Sequence, residues 1–178
     1  RKIAKVGLIT TRGFRDILEL GRRTRPRPYG LIGAFHPLIE SGALTLARQK
    51  LAEGAEVVVM GFRPADPSGY GRLIEKDGEL AAIREHKDAS DEERQIGFCN
   101  GGLMAIAGRD ALSMLDAISN TNAKGEYYLT DVVEIARGMG KKTIAIEVDA
   151  ASVLGVNTRV ELAEAEALFQ AKTRRAMM

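Results

Sequence analysis

The apolar run E-V-V-V-M-G-F at residues 56–62 constrains the fold more than any other segment of the chain. Its apolar residues follow one another without alternating polar residues, which is typical of a strand that is buried on both faces. Such strands occur in layered α/β proteins, where helices cover both sides of the sheet. The run therefore predicts a central strand of a layered α/β domain.

Segments with the patterns of strands and helices alternate along the rest of the chain. Strands are predicted at residues 3–9, 98–107 and 142–148, with a short strand or turn at residues 31–39. Helices are predicted at residues 14–20, at 41–53 with Ser41 as cap, at 110–118, from about 131 to 138 and at 159–175, and the capping-box spacing of Ser90 and Glu93 adds one helical turn. The alternation predicts a single α/β domain, residues 1–178, with a mostly parallel Rossmann-like layered sheet and an inserted β-hairpin.

The inserted hairpin is predicted by the dipeptide Asp77-Gly78, which lies between apolar-alternating runs at residues 72–75 and 80–84. Asp-Gly is typical of two-residue hairpin turns. Pairing of the two runs would bring Gly71, at one end of the hairpin, close to Glu85 at the other end.

A candidate ligand site follows from three residues around this hairpin. Asn100, flanked by Gly101 and Gly102, begins the next apolar run, so Gly71, Glu85 and Asn100 could line one edge of a cleft. A carboxylate accepts hydrogen bonds and a carboxamide both donates and accepts them, which suits a polyhydroxylated ligand such as a sugar. The simpler alternatives are that Glu85 is a surface charge, which the residues alone favour, and that Asn100 only makes a turn.

The composition excludes several classes of site. The single cysteine, Cys99, excludes an internal disulfide and a thiolate metal cluster, and it indicates a reducing, cytoplasmic location. We expect a buried thiol here and not a nucleophile. His36 and His86 are the only imidazoles, so a zinc site is not expected. No apolar run approaches the roughly 18 residues of a membrane span.

Charge is unevenly distributed along the chain. Residues 1–30 contain nine Arg or Lys against two carboxylates, a local net charge of +7, whereas the whole chain has a net charge of +2. The basic segment at residues 22–27 is best explained as a solvated linker, and a nucleic-acid contact is the weaker alternative. The loop at residues 10–13 precedes a predicted helix and could hold a phosphate, but a plain strand-to-helix connection is favoured.

Five motifs in order resemble one enzyme family over residues 37–170. They are A-E-G-A-E-V-V-V-M-G-F-R-P-A-D-P-S-G-Y-G-R-L-I, E-H-K-D-A-S-D-E-E-R-Q-I, F-C-N-G-G-L-M-A-I, N-A-K-G-E-Y-Y-L-T-D and G-V-N-T-R-V-E-L-A-E-A-E. Together they resemble N-acetylglucosamine-1-phosphate uridylyltransferase, the nucleotidyltransferase domain of the bifunctional enzyme that forms UDP-N-acetylglucosamine. The resemblance implies a nucleotide-diphospho-sugar transferase type of fold and a role in the biosynthesis of cell-wall precursors.

The resemblance also implies a reaction and a set of site residues. The reaction is transfer of UMP from UTP to N-acetylglucosamine 1-phosphate, with release of pyrophosphate and with Mg²⁺ as cofactor. Matching motif positions give Gly71, Glu85, Asn100 and Asn157 as contacts of the sugar nucleotide, with Asn157 also a metal ligand. Alternatively, Asn157 could simply cap the last helix. No catalytic residue is assigned.

The first 38 residues depart from this family. Its phosphate-binding L-x-A-G-x-G-T-R-M, its uracil-reading Q-x-x-x-x-G-T and its Y-x-D are missing, and Phe35 stands where the metal-binding aspartate belongs. A phenyl ring cannot bind Mg²⁺. Residues 1–38 instead resemble a segment of the hydantoinase/oxoprolinase family, which implies no activity by itself. We therefore expect a chimeric chain, in which residues 39–170 form the sugar-side part of a nucleotidyltransferase domain.

Three functions remain open from the sequence. The first is a uridylyltransferase-type domain that is impaired because its UTP side is missing. The second is a non-catalytic module, either binding a sugar nucleotide or purely structural, and the third is an inactive hydantoinase/oxoprolinase fragment. In each case we expect a monomer whose partner, if it has one, is a small sugar phosphate or UDP-sugar.

Overall fold

The computed structural model describes residues 7–8, 29–33, 36–121, 127–156 and 158–178. Its strands are β1 (Gly7–Leu8), β2 (Tyr29–Gly33), β3 (Val57–Phe62), β4 (Arg72–Lys76), β5 (Glu79–Arg84), β6 (Cys99–Ala107) and β7 (Thr143–Glu147). Its helices are α1 (Ser41–Ala52), α2 (Asp91–Arg94), α3 (Ala111–Asp116), α4 (Val132–Gly138) and α5 (Arg159–Met177), with 3-10 turns at Leu129–Asp131 and Ala150–Val153. Within these residues, no helix is both long enough and apolar enough to cross a membrane.

The strands form one open sheet in the order β1-β2-β6-β3-β7, and the β4–β5 hairpin joins it through β6. The apolar run at residues 56–62 is confirmed as a central strand, because all six residues of β3 are buried. Side chains of β3 alternate between two apolar clusters, with Val57 and Val59 in one and Val58, Met60 and Phe62 in the other. The strand is therefore packed on both faces, as the run predicted.

The α/β class and the layered, Rossmann-like, mostly parallel sheet are confirmed, since β1, β2, β3 and β7 run in one direction and β6 runs against them. β1 runs parallel to β2, and β3 runs parallel to β7. β6 lies antiparallel to both β2 and β3. A parallel return needs a crossover of about a dozen residues or more, usually a helix, whereas the hairpin and the one-turn helix α2 between β3 and β6 provide no such crossover.

The predicted hairpin is confirmed in its register and its turn. Arg72 pairs with Arg84 at its base, and Lys76 pairs with Glu79 beside the turn. Asp77 and Gly78 have φ angles of 55° and 78°, the positive values that a two-residue turn of this kind requires. The hairpin therefore places Gly71 and Glu85, which directly flank the Arg72–Arg84 pair, at the same end.

Two predicted helix caps differ in the structure. Ser41 is the first residue of α1, and its N-cap residue is Glu40, which makes no side-chain capping bond. At α5 the N-cap is Thr158, which forms a capping box with Glu161. A cap must have an extended backbone so that its side chain reaches the N–H groups of the first turn, and Thr158 has that conformation, with φ −126° and ψ 163°.

Other predicted helix ends are confirmed. Ser90 and Glu93 form the capping box of α2, each side chain bonding the other residue's main-chain N–H. Gly54, predicted to end α1, follows the helix with a φ of 101°, a left-handed conformation that favours glycine.

Much of the amino-terminal prediction lies outside the described residues. Of the strand predicted at residues 3–9, Gly7–Leu8 is present and pairs in parallel with β2. The predicted helix at residues 14–20, the phosphate-loop candidate at 10–13 and the basic linker at 22–27 are outside the described part of the chain.

Candidate functional site

The candidate site residues gather at one edge of the sheet. Gly61 near the end of β3 pairs in parallel with Glu147 at the end of β7. β6 begins at the same edge because it runs the other way, with Cys99 opposite Phe62. Ligands of open α/β sheets bind outside the carboxyl ends of the parallel strands, so this edge is the expected place for a ligand.

Gly71 lies where the hairpin meets the start of β6. Its carbonyl oxygen accepts a 2.8 Å hydrogen bond from the main-chain N–H of Asn100. A Cβ atom at Gly71 would lie 3.3 Å from Cγ2 of Ile83 and 3.6 Å from Cβ of Asn100. Two of the predicted contacts, Gly71 and Asn100, are thus direct neighbours, and the space beside Gly71 is narrow.

The loop that leads to Gly71 is held by its own polar groups. The main-chain N–H of Ser68 donates to Oδ1 of Asp66 at 2.9 Å, and the bonds from Ser68 hold the pKa of Asp66 below its usual range. At the end of this loop, the ring of Tyr70 packs edge-on against Phe62, with centroids 4.9 Å apart. The loop before Gly71 is therefore held at its start by Asp66 and at its end by Tyr70.

Asn100 begins a bulge in β6, since the register with β3 shifts between Met60 and Gly61. Oδ1 of Asn100 accepts a 3.0 Å hydrogen bond from the N–H of Gly102, which has a φ of 74°. A Cβ atom at Gly101 would lie only 2.9 Å from both the carbonyl oxygen of Met60 and Cγ1 of Val153. Asn100 therefore does make a turn, and bulges of this kind re-aim side chains beside binding sites.

Glu85 is half-buried and contacts a residue that sequence reasoning did not assign. Oγ1 of Thr130 donates to Oε1 of Glu85 at 3.3 Å. Thr130 belongs to the 3-10 turn Leu129–Asp131, which precedes α4. The sequence signal that could have pointed to Thr130 is its place in the motif N-A-K-G-E-Y-Y-L-T-D. The contact ties the hairpin end to the α4 segment, so Glu85 is not a free surface charge.

A second carboxylate lies in the same segment. Asp131, next to Thr130, has a raised pKa, first because of burial and also because Glu134 is close, while Arg84 acts in the opposite direction. Arg84 spans Glu93 and Glu134, each at 3.5 Å. This side of the site is therefore rich in carboxylates and contains one bridging guanidinium.

The cysteine and one histidine also lie at this edge. Cys99 is completely buried, which confirms the predicted buried thiol, and burial raises the pKa of this thiol. The imidazole of His36 lies over the bulge, because a Cβ atom at Gly102 would be 3.3 Å from its Cε1. Sequence reasoning gave His36 no catalytic role, because no partner for a catalytic triad was evident.

Some predicted site residues lie outside the described part of the chain. They include Asn157. Phe35, which stands where the family's metal-binding aspartate belongs, also lies outside. Within the described residues, no three His, Cys, Asp or Glu side chains come together as a metal site.

The chain shares its layered α/β fold, built on an open sheet, with solved structures of nucleotidyltransferases. A solved structure of CMP:2-keto-3-deoxy-manno-octonic acid synthetase, complexed with CTP, superposes with a TM-score of 0.63. The match covers 90% of this chain and 68% of that chain, with 15% sequence identity. This likeness establishes the fold, and no protein-family model matches the chain.

Curated proteins that match the chain in sequence are GlmU proteins. The chain is 62% identical over 142 residues to the bifunctional protein GlmU of Brucella anthropi, covering 80% of this chain and 31% of that protein. It is 54% identical over 168 residues to the bifunctional protein GlmU of Chelativorans sp. strain BNC1, covering 94% and 34%. The chain spans about a third of the length of the curated relatives it matches.

These alignments bear on the expected chimera. The match to the Chelativorans protein takes in 168 residues of a chain of 178. Most of the first 38 residues therefore fall inside an alignment to a GlmU protein. A separate hydantoinase/oxoprolinase origin of residues 1–38 finds no support in the comparisons.

Proposed function

We propose that this chain is a sugar-phosphate nucleotidyltransferase-type domain that binds UDP-N-acetylglucosamine or its sugar phosphate through Gly71, Glu85 and Asn100. The observation that carries the proposal is the meeting of these residues at one sheet edge, although they come from three separate segments. The likeness to GlmU proteins over most of the chain supports the same assignment.

The chemistry of the three residues matches the parts of an acetamido sugar. The carboxylate of Glu85 accepts hydrogen bonds from hydroxyl groups, and the carboxamide of Asn100 can donate to an oxygen acceptor. A Cβ atom at Gly71 would crowd Ile83 and Asn100, so glycine lets the main chain of the loop lie directly against Asn100. We propose that Thr130, through its bond to Glu85, orients this carboxylate toward the sugar.

The proposed reaction is transfer of UMP from UTP to N-acetylglucosamine 1-phosphate. A phosphate oxygen of the sugar phosphate bonds to the α-phosphorus of UTP, and the bond from that phosphorus to the leaving pyrophosphate breaks. We propose Asn157 as the residue of this chain that would bind Mg²⁺, which would supply positive charge to neutralise the phosphate groups. The missing aspartate at position 35 and the missing phosphate and uracil motifs lead us to propose impaired transfer.

Turnover by this chain is accordingly expected to be far below that of ordinary enzymes, whose kcat values are about 1–10³ s⁻¹. Release of pyrophosphate from UTP, N-acetylglucosamine 1-phosphate and Mg²⁺ measures it directly. A matched reaction without Mg²⁺ tests the cofactor. A kcat in the ordinary range would contradict impairment, and pyrophosphate release that is unaffected by removing Mg²⁺ would contradict the proposed cofactor.

Binding of UDP-N-acetylglucosamine is expected to weaken about ten- to hundredfold in Glu85→Gln, because a hydrogen bond to a charged group contributes about 1.5–3 kcal/mol. Isothermal titration calorimetry gives the dissociation constants. The matched control is Glu75→Gln, an exposed carboxylate at the turn end of the same hairpin. Equal weakening in both variants would contradict a sugar contact at Glu85.

The alternative function is a folded scaffold without a sugar site. It is favoured if the parent chain does not bind UDP-N-acetylglucosamine while its thermal unfolding remains cooperative. Binding without turnover instead favours the non-catalytic binding module. We also propose a monomer, and sedimentation velocity over a range of concentrations tests it.

A further inference from the structure

Arg72 is a charged residue in an unusual place. It is the first residue of β4 and directly follows Gly71. It is 1% exposed and has the largest of the fully buried side chains among the described residues. Burying a guanidinium costs free energy unless its N–H groups have hydrogen-bond acceptors. The acceptors of Arg72 therefore show which parts of the structure this side chain holds together.

The guanidinium of Arg72 joins two segments by donating to main-chain carbonyl oxygens. Nη1 donates to the carbonyl of Tyr70, in the loop just before Gly71. Nε and Nη2 both donate to the carbonyl of Arg94, at 3.4 and 3.3 Å. Arg94 is the last residue of α2, so a single side chain fixes the loop before β4 to the end of this helix.

The side chain of Arg94 continues the connection to the other end of the hairpin. Its Nε donates to the carbonyl of His86 at 3.4 Å, and its Nη1 contacts Asp91 at 3.0 Å. His86 directly follows Glu85. Two arginines in series therefore link the main chain beside Gly71 to the main chain beside Glu85.

We propose that Arg72 is a positioning residue that presets the distance between Gly71 and Glu85, the two hairpin contacts of the proposed sugar site. This inference rests on the proposed function. The positioning role requires arginine, because the planar guanidinium reaches two carbonyl groups that lie in different directions. The ammonium group of lysine is instead a point charge on a flexible stem. A site held in this way loses less conformational freedom when the ligand binds.

Two main-chain amides report on the arrangement without any ligand. The N–H of Asn100 donates to the carbonyl of Gly71 at 2.8 Å, and the N–H of Asp88 donates to the carbonyl of Glu85 at 2.9 Å. Loss of the Arg72 fork frees both segments, so both amides should exchange faster with solvent. Amides of β3 in the core serve as the internal reference.

The test compares Arg72→Lys with the parent chain by calorimetry with UDP-N-acetylglucosamine and by amide hydrogen exchange. We expect binding to weaken about ten- to hundredfold, the loss expected when a hydrogen bond to a charged group such as Glu85 is displaced. We also expect Glu85→Gln to weaken binding less in the Arg72→Lys background than in the parent chain, because the contact of Glu85 with the sugar is already misplaced there. Asn100 and Asp88 should lose more protection than the β3 amides.

Thr143→Val is the matched control for stability. Thr143 is completely buried and donates to the carbonyl of Leu80 at 2.5 Å, at the sheet edge opposite the site. The substitution Thr143→Val should lower the free energy of unfolding. It should leave the dissociation constant for UDP-N-acetylglucosamine within about twofold of the parent value. Should Arg72→Lys fail to fold, Arg94→Lys replaces it and is expected to expose the Asp88 amide while that of Asn100 stays protected.

Several outcomes overturn the inference. They are parent-like binding in Arg72→Lys, full additivity with Glu85→Gln, and unchanged protection of Asn100 and Asp88. If the parent chain does not bind the sugar nucleotide, the proposed function fails, while hydrogen exchange still decides whether Arg72 fixes the two segments. The two failures are therefore distinguishable.

Discussion

Phe98→Ala is expected to lower the free energy of unfolding by about 3–5 kcal/mol, the usual cost of removing a large buried side chain. Phe98 is 5% exposed and belongs to the apolar cluster that contains Val57 and Val59 of β3. The guanidinium of Arg63 lies 4.7 Å from its ring centroid. Urea unfolding measures the loss, which is a large fraction of the about 5–15 kcal/mol typical of a domain.

The same substitution should disturb the candidate site, because Phe98 lies two residues before Asn100 and its carbonyl accepts a 2.9 Å hydrogen bond from the N–H of Leu73. Phe98→Leu retains most of the apolar volume and serves as the control, with an expected loss below about 1.5 kcal/mol. If Phe98→Ala unfolds with a loss under 1 kcal/mol, the ring does not fill the core as the structure indicates.

The elements that sequence reasoning predicted well are those fixed by local residue pattern. Asp77-Gly78 sets the hairpin turn by its backbone preferences, and the apolar run of β3 needs cover on both faces wherever it is placed. The Ser90–Glu93 capping box is likewise a contact between residues three apart. Such features depend on near neighbours along the chain and therefore survive without knowledge of tertiary packing.

The direction of β6 was harder to predict, because it depends on connections and not on the strand's own residues. An apolar strand has the same pattern whether it runs parallel or antiparallel to its neighbours. The short helix α2 in place of a crossover helix was the available indication. The 36 residues between β3 and β6, residues 63–98, are enough for a crossover, but they form a hairpin and one helical turn and not a long helix.

The candidate site was predicted in its main members and missed in its supporting ones. Gly71, Glu85 and Asn100 stand in the motifs and meet at one edge, although their roles stay predictions. Thr130 and Arg72 were not assigned, because their contacts join segments far apart in sequence: Thr130 to Glu85 is a separation of 45 residues. A threonine or an arginine in a motif has no pattern that identifies its hydrogen-bond partner.

Gly61 explains why a glycine interrupts the apolar run of β3. A Cβ atom there would lie 2.4 Å from Cδ1 of Leu73 and 2.4 Å from Cε2 of Phe98, far inside normal contact distance. Gly61 also pairs with Asn100, and its carbonyl oxygen accepts a 2.9 Å hydrogen bond from the N–H of Val148. The backbone therefore cannot shift away from the two side chains without breaking the sheet edge that carries the site.

Gly61→Ala is accordingly expected to destabilise the fold by about 3 kcal/mol, at the upper end of the usual cost of overpacking, and to weaken binding of UDP-N-acetylglucosamine. Urea unfolding and calorimetry measure the two effects. Gly97→Ala is the matched control, because no atom lies within 4 Å of a Cβ there, and it should change stability by less than about 1 kcal/mol.

The cause of this destabilisation can be tested by combining Gly61→Ala with Phe98→Leu. Leucine lacks the ring atoms Cε2 and Cζ, which a Cβ at Gly61 would meet at 2.4 and 2.6 Å. The added alanine should therefore cost at least about 0.5 kcal/mol less in the Phe98→Leu background, the size of coupling found between residues in contact. Strict additivity of the two substitutions would show that the ring of Phe98 is not what excludes a side chain at position 61, and the steric account of this glycine would then fail.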